Sequence, residues 1–275
     1  MYVLSLLLAA AVSGDGMAPK PAPAAVPVVT VHARDFSFVA PKTVKSGVNT
    51  FRLVNDGKEL HHLSIMKLEQ GKTMADLAAA MKQAGPPPAW IRNVGGPNPA
   101  VPGATVEATL VLDAGTYVMA CFIPSPGGTM PHVMKGMMAG FTVTPDASGA
   151  AMPSPDATVH LTDYAFTVDK PLAAGHRVVN VVNDAQQPHE LVMVELAPGK
   201  TIADMGNWVD KEMMKGPPPG RPVAGMSGLD HSRSGSFPVD LKAGRYGLIC
   251  FAPDAKDGKS HFTHGMSKEL VVAAK

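Results

Sequence analysis

Histidine, cysteine and methionine recur in this chain in an order that suits a soft metal ion. His61 precedes Cys121 by about sixty residues; ten residues then separate Cys121 from His132, and four separate His132 from Met137. The same order returns in His189, Cys250, His261 and Met266, with gaps of ten and four again. A cysteine thiolate and two imidazoles in a trigonal arrangement, with a weak axial thioether, make a blue-copper site, soft enough for Cu(I) and acceptable to Cu(II). With one His on a distant strand and the other three donors on one loop, a fold can impose a geometry that neither oxidation state would choose freely. Rearrangement during electron transfer is then small.

The two sets lie in two copies of a longer repeat. Thr30-Val31-His32 and Asp35-Phe36-Ser37-Phe38 align with Thr158-Val159-His160 and Asp163-Tyr164-Ala165-Phe166 at an offset of 128. Val54-Asn55-Asp56, His61 and Gly71-Lys72-Thr73 keep that register with Val182-Asn183-Asp184, His189 and Gly199-Lys200-Thr201. After an irregular stretch the offset is 129: Tyr117, Cys121-Phe122, His132 and Gly136-Met137 meet Tyr246, Cys250-Phe251, His261 and Gly265-Met266. A repeat of this length is a whole domain rather than a solenoid unit. The expected organisation is a signal peptide at 1–13, a Pro/Ala-rich linker at 14–27, one domain at 28–145, a linker at 146–156 and a second domain at 157–275. The apolar run 3–12 is too short to span a bilayer but suits a signal peptide, so the protein is expected in the periplasm or outside the cell. No other segment could serve as a membrane anchor.

Within each copy, alternation and β-branched content predict strands at 50–54, 106–112 and 117–122, recurring at 178–182, 237–241 and 246–251. One helix per copy is predicted, at 74–84 and 202–215. Thr73 and Thr201 are the expected N-caps, with Asp76 and Asp204 three residues on. Gly85-Pro86 and Gly216-Pro217 should end the helices by removing donors and fixing φ. The fold class expected is all-β: two tandem Greek-key β-sandwiches, each with one helical insertion.

Composition agrees. Gly (27) and Pro (26) are frequent and aromatics are 5%, which suits short strands and many turns. Lys and Arg number 24 against 23 Asp and Glu, so the basic excess that a nucleic-acid surface needs is missing. The sequence contains no nucleophile elbow, phosphate-binding Gly loop or zinc motif.

At Tyr117-Val118-Met119-Ala120-Cys121 and Tyr246-Gly247-Leu248-Ile249-Cys250 the chain resembles the cupredoxin family, in which a Tyr-x-x-x-Cys strand leads into the ligand loop. His132-Val133-Met134-Lys135-Gly136-Met137 and His261-Phe262-Thr263-His264-Gly265-Met266 look like the His-x-x-x-Gly-Met loop of copper nitrite reductases. The resemblance implies His61, Cys121, His132 and Met137 as one copper ligand set, His189, Cys250, His261 and Met266 as the other, and up to two coppers per chain. Nitrite reductases carry, immediately before the Cys, a His that joins the type 1 copper to a type 2 copper. Ala120 and Ile249 stand there instead, and the His-x-His pairs of multicopper oxidases are absent, so the protein is expected not to be an enzyme. The long Cys-to-His loops separate it from small carriers such as plastocyanin and azurin.

An exported protein with two Cys usually forms a disulfide, but Cys121 and Cys250 occupy equivalent places in separate copies and are read as unpaired. His61 is preferred to His62 because position 62 corresponds to Glu190. His32 and His160 are read as hydrogen-bonded structural residues, and His264 as a rim residue. The function expected is single-electron transfer to an unidentified redox partner protein, with the edges of His132 and His261 giving the partner access. The alternatives are a periplasmic copper binding or delivery protein, with a copper donor or acceptor as partner and a surface rich in Met, and a copper-dependent reductase.

Overall fold

The structure is a computed structural model that describes residues 24–83 and 87–274. The expected signal peptide, most of the 14–27 linker, and the Ala84, Gly85 and Pro86 positions lie outside these residues. The first copy runs β1 (Val28–Arg34), β2 (Ser37–Val39), β3 (Thr43–Asn55), β4 (Ser64–Leu68), α1 (Met74–Ala80), β5 (Ile91–Gly95), β6 (Thr105–Leu112), β7 (Gly115–Ala120) and β8 (Met138–Ala147). The second repeats the order with β9 (Ala157–Thr162), β10 (Ala165–Val168), β11 (Gly175–Asn183), β12 (His189–Leu196), α2 (Ile202–Asp210), β13 (Gly220–Leu229), β14 (Ser234–Leu241), β15 (Gly244–Ile249) and β16 (Ser267–Val272). The protein is thus mostly β, as its composition implied.

Period-two burial shows why these segments are strands. In β1, Val29, Val31 and Ala33 point inward while their neighbours stay partly or wholly exposed, and Ala157, Val159 and Leu161 do the same in β9. Two layers result. One runs β2-β1-β3-β6-β14-β11-β9-β10, the other β8-β7-β4-β5-β13-β12-β15-β16. Strand β3 belongs to both: its 47–54 portion pairs antiparallel with β6, and its 43–46 portion parallel with β8. Between the layers Phe51, Leu53, Leu110, Tyr117, Phe237 and Leu248 are fully enclosed. Each such side chain contributes about 1.5–3 kcal/mol on leaving water.

Both layers cross from one copy to the other. Gly235 lies opposite Leu110 in one layer and Leu229 opposite Val94 in the other. Pro97 and Met226, which occupy the same place in their copies, pair with each other. Strands that would be open edges of separate sandwiches are therefore capped by the other copy, which removes a site of unwanted pairing.

The helix starts match expectation: Thr73 and Thr201 each accept from the amide three residues on, and Asp76 and Asp204 reach back to close a capping box. The ends come earlier than predicted. Helix α2 stops at Asp210 because the amides of Lys211 and Glu212 both turn to Asn207 O and the backbone enters the left-handed region at Met213 and Met214, well before Gly216. Helix α1 stops at Ala80, with Met81 as its cap.

Candidate metal centres

A buried asparagine sets the position of the first His in each copy. Asn55, at the end of β3, donates to Glu59 O and Ala100 O, both at 2.8 Å, and its own Oδ1 accepts from Gly57 N. The loop is thereby folded back so that His61 pairs with Ala100. Asn183 does the same with Gln187 O and Leu229 O, and His189 pairs with Leu229. The Asn-Asp pair duplicated in the repeat is this device.

The Cys lies one residue past the end of β7 or β15, and the ten-residue loop after it returns on itself. Pro124 pairs with Pro131, His132 N donates to Ile123 O at 3.0 Å, and Val133 N donates to Cys121 O at 2.7 Å. The second copy repeats this with Pro253 opposite Ser260, His261 N to Ala252 O and Phe262 N to Cys250 O. Loop length therefore does not displace the His. Each then starts a short 3-10 turn, His132–Lys135 or His261–His264, closed by a glycine at φ 99° or 95°. That left-handed step favours glycine, and it lets Met137 N and Met266 N bond back to the ring-bearing His at 3.0 Å while their carbonyls accept from the Cys amides.

Three donors converge at each place. In the first copy Cys121 Sγ lies 3.9 Å from His61 Nδ1 and 3.5 Å from His132 Nδ1, and the two Nδ1 atoms are 3.1 Å apart. In the second, Cys250 Sγ is 3.9 Å from His189 Nδ1 and 3.4 Å from His261 Nδ1. All six side chains are fully buried, as are Met137 and Met266. Neither Cys is in a disulfide.

Carboxylates hold the far side of the rings. His61 Nε2 meets Asp35 Oδ1 at 2.8 Å, His189 Nε2 meets Asp163 Oδ1 at 2.9 Å, and His132 Nε2 meets Glu59 Oε2 at 2.9 Å. These partners place a proton on Nε2 and leave Nδ1 as the free donor. Burial raises the Asp35 carboxyl, but the Lys58 amide and the His61 ring outweigh it, so the group stays below its ordinary value. His261 differs: its Nε2 has no hydrogen-bond partner, and Asp254 Oδ2 stands 3.8 Å away. Asp35 and Asp163 were visible in the repeat but read only as part of its frame. Glu59 carried no sequence signal, because its counterpart is Gln187.

Burial pushes the Cys121 thiol up to about 12 and also raises Cys250. It lowers the imidazoles of His132 and His189, and brings His261 down to about 4. At neutral pH each metal-free pocket thus holds a neutral thiol, and a cation that binds there displaces the thiol proton.

The donor set fits copper. Bonds of about 2.0 Å to imidazole nitrogen and about 2.3 Å to thiolate sulfur hold three donors roughly 3–4 Å apart, the spacing of all three pairs in the first triad and of both sulfur–nitrogen pairs in the second. Thiolate with two imidazoles is also the chemistry that suits both copper oxidation states. Each triad can hold one copper ion.

The remaining histidines keep to their expected roles. His32 and His160 bond to Asp56 and Asp184 at 2.8 and 2.7 Å. His62 lies beside the first triad, bonded to Asn98 and to the Phe122 amide. His264 groups with Asp254 and Asp257 at the rim, where Asp254 is already engaged by Tyr164 and Gln187. One expectation fails: the edges of His132 and His261 are not open to solvent. Phe36 packs on His132 at 4.9 Å beneath Glu59, and Tyr164 packs on His261 at 5.6 Å.

No family model matches the chain, and no curated protein matches it in sequence. Solved structures do. Auracyanin A, a "blue" copper protein of Chloroflexus aurantiacus, is 20% identical over 44% of this chain and 100% of its own, with a TM-score of 0.30. A copper nitrite reductase of Nitrosomonas europaea is 12% identical over 90% of this chain and 94% of its own, with a TM-score of 0.25. A multicopper oxidase variant of Aquifex aeolicus is 11% identical over 90% of this chain and 66% of its own, with a TM-score of 0.30. The layered, mostly β topology with a buried His, Cys, His triad in each copy is cupredoxin-like, as expected. The expectation that the chain is not an enzyme is withdrawn: multicopper oxidases and copper nitrite reductases are among the solved structures that cover about nine-tenths of it. That expectation rested on Ala120 and Ile249 and on the missing His-x-His pairs, which exclude one relay and one kind of copper cluster and not catalysis in general.

Proposed function

We propose that this protein is an exported copper protein that passes single electrons through two sites, His61, Cys121, His132 and Met137 in one and His189, Cys250, His261 and Met266 in the other. The observation that carries the reading is the convergence of Sγ and two Nδ1 atoms at two buried places, held from outside by carboxylates. Copper supplies a one-electron couple there. The chain supplies rigidity: Asn55 and Asn183 fix one His, the returning loop fixes the other, and Asp35 and Asp163 orient the rings. Pockets so tightly held rearrange little between oxidation states. Export rests on the 1–13 segment; among the described residues no helix is long and apolar enough to cross a membrane.

The test is the visible spectrum and copper content of Cu(II)-loaded protein beside Cys121→Ala, Cys250→Ala and the double variant. An intense thiolate-to-copper band with two coppers per chain, about halved by each single change and lost in the double, is expected. Colourless protein without bound copper would sink the reading.

One observation favours a second reading, copper delivery. Met130 and Met134, on the loop and turn that carry His132, are 57% and 52% exposed, and surface thioethers favour Cu(I). Voltammetry separates the two: a reversible couple supports the electron carrier, and a site that stays reduced supports delivery.

A further inference from the structure

We infer that Asn98 is the centre of a hydrogen-bonded bridge that joins the two metal sites and carries single electrons from one to the other; the inference rests on the copper reading above. The bridge starts at the residue bonded to Cys121. Phe122 N donates to His62 Nε2 at 2.8 Å, so that nitrogen bears no proton and Nδ1 does. Nδ1 donates to Asn98 Oδ1 at 3.2 Å, and Asn98 Nδ2 donates to Glu190 Oε2 at 3.0 Å. The other Glu190 oxygen accepts from Phe251 N at 3.1 Å, the amide bonded to Cys250. Covalent bonds and four hydrogen bonds thus connect one Cys to the other without a through-space gap, and every donor faces an acceptor. The ends are tied twice, because the His62 and Glu190 amides also donate to Cys121 Sγ and Cys250 Sγ at 3.5 and 3.4 Å. Asn98 is 1% exposed and His62 6%, so the centre of the path is shielded from water.

The repeat breaks where the bridge needs it to. The ligands are duplicated, but His62 corresponds to Glu190 and Asn98 to Ser227. An asparagine amide offers one accepting and one donating end, so it can join a ring N–H to a carboxylate; two His or two Glu would leave one end mismatched. Ser227 stands off the path and bonds Leu63 O at 3.1 Å. In the step itself one copper goes from Cu(I) to Cu(II) while the other goes from Cu(II) to Cu(I); no bond or proton changes place. An external donor and an external acceptor can then use different sites.

The test uses the two-copper protein, reduced by less than one electron with a flash-generated flavin donor. It is followed by absorption and electron paramagnetic resonance, with the two signals assigned by Cys121→Ser and Cys250→Ser. A first-order equilibration phase independent of protein concentration is expected. Asn98→Ala should slow it at least tenfold, and Ser227→Ala, which removes a hydrogen bond off the path, should leave it unchanged. An unchanged rate in Asn98→Ala, or equal slowing in both variants, overturns the bridge. A second readout needs neither copper nor a variant: ¹⁵N spectra of the metal-free protein should show His62 as the Nδ1–H tautomer, and an Nε2–H tautomer overturns the bridge. Absence of any thiolate–copper band in the unaltered chain overturns the copper reading and this inference with it. Bands without the equilibration phase overturn the bridge alone.

Discussion

His132 and His261 are equivalent in sequence and unequal in surroundings. Glu59 accepts from His132 Nε2, whereas His261 Nε2 has no partner. A carboxylate on the far nitrogen makes an imidazole a stronger donor, which favours Cu(II) over Cu(I). Glu59→Gln is therefore expected to raise the potential of the first site and leave the second unmoved; voltammetry that shows both moving, or neither, contradicts this. A second inequality between the copies, His62 in one and Glu190 in the other, shapes the response to pH. Burial holds the His62 imidazole down to about 4 and the Glu190 carboxyl up to about 7. Between about pH 4 and 6.5 the unfolded chain binds the His62 proton that the folded chain refuses, so that contribution to stability rises with pH. Between about pH 4.5 and 7 the folded chain keeps the Glu190 proton that the unfolded chain releases, so that contribution falls. Each amounts to at most about 3 kcal/mol. In metal-free protein Glu190→Gln should gain on the parent in unfolding free energy from pH 5 to pH 8, and His62→Gln should lose. Denaturant titrations at both values decide it, and parallel changes in both variants would refute the assignment.

At the scale of elements, a helix far from the donors supports one of them. Helix α2 packs Gly206 against Phe262, the residue after His261, so closely that an added Cβ would sit 2.2 Å from the ring. Alanine is the better helix former by about 1 kcal/mol, but the clash requires the Phe262 ring, on the turn that carries His261, to move. Gly206→Ala in a Cys121→Ala background is expected to weaken copper binding at least tenfold, read by competition with a chelator. Unchanged affinity would show that α2 does not position the site. The capping boxes that start both helices were legible because Thr, Asp and their spacing are local. The helix ends were not, since Asn207 and the left-handed Met213 and Met214 close α2 before the Gly-Pro pair is reached.

At the scale of the whole molecule, the two copies meet along strand edges with glycine at the closest approach. A Cβ on Gly225 would lie 2.2 Å from Leu191 O and 2.3 Å from Asn98 O, both rigid backbone atoms. Gly225→Ala should destabilise the metal-free protein by about 3 kcal/mol or more, or prevent folding, because neither contact can relax without parting neighbouring strands where the copies join. A denaturation midpoint equal to the parent's would mean that the copies do not pack as closely as described. Since both layers pass through the seam, the loss should appear in a probe of either copy, Trp90 in the first or Trp208 in the second.

The sequence by itself determined what is periodic, local or duplicated: the strand alternation, the helix caps, the Asn-Asp pair, and two sets of His, Cys, His and Met in one order. Repetition at offsets of 128 and 129 separated His61 from His62 and argued against a disulfide before any coordinates. Only the tertiary structure decided which edges pair across the copies, that Asp35, Glu59 and Asp163 hold the rings, that His132 and His261 are covered, and that Asn98 stands between His62 and Glu190. Alternation looks the same in a strand whose edge is free and in one whose edge is paired. A carboxylate's partner depends on where distant segments are brought together. The asymmetric residues, for the same reason, carried no signal until the fold placed them opposite each other.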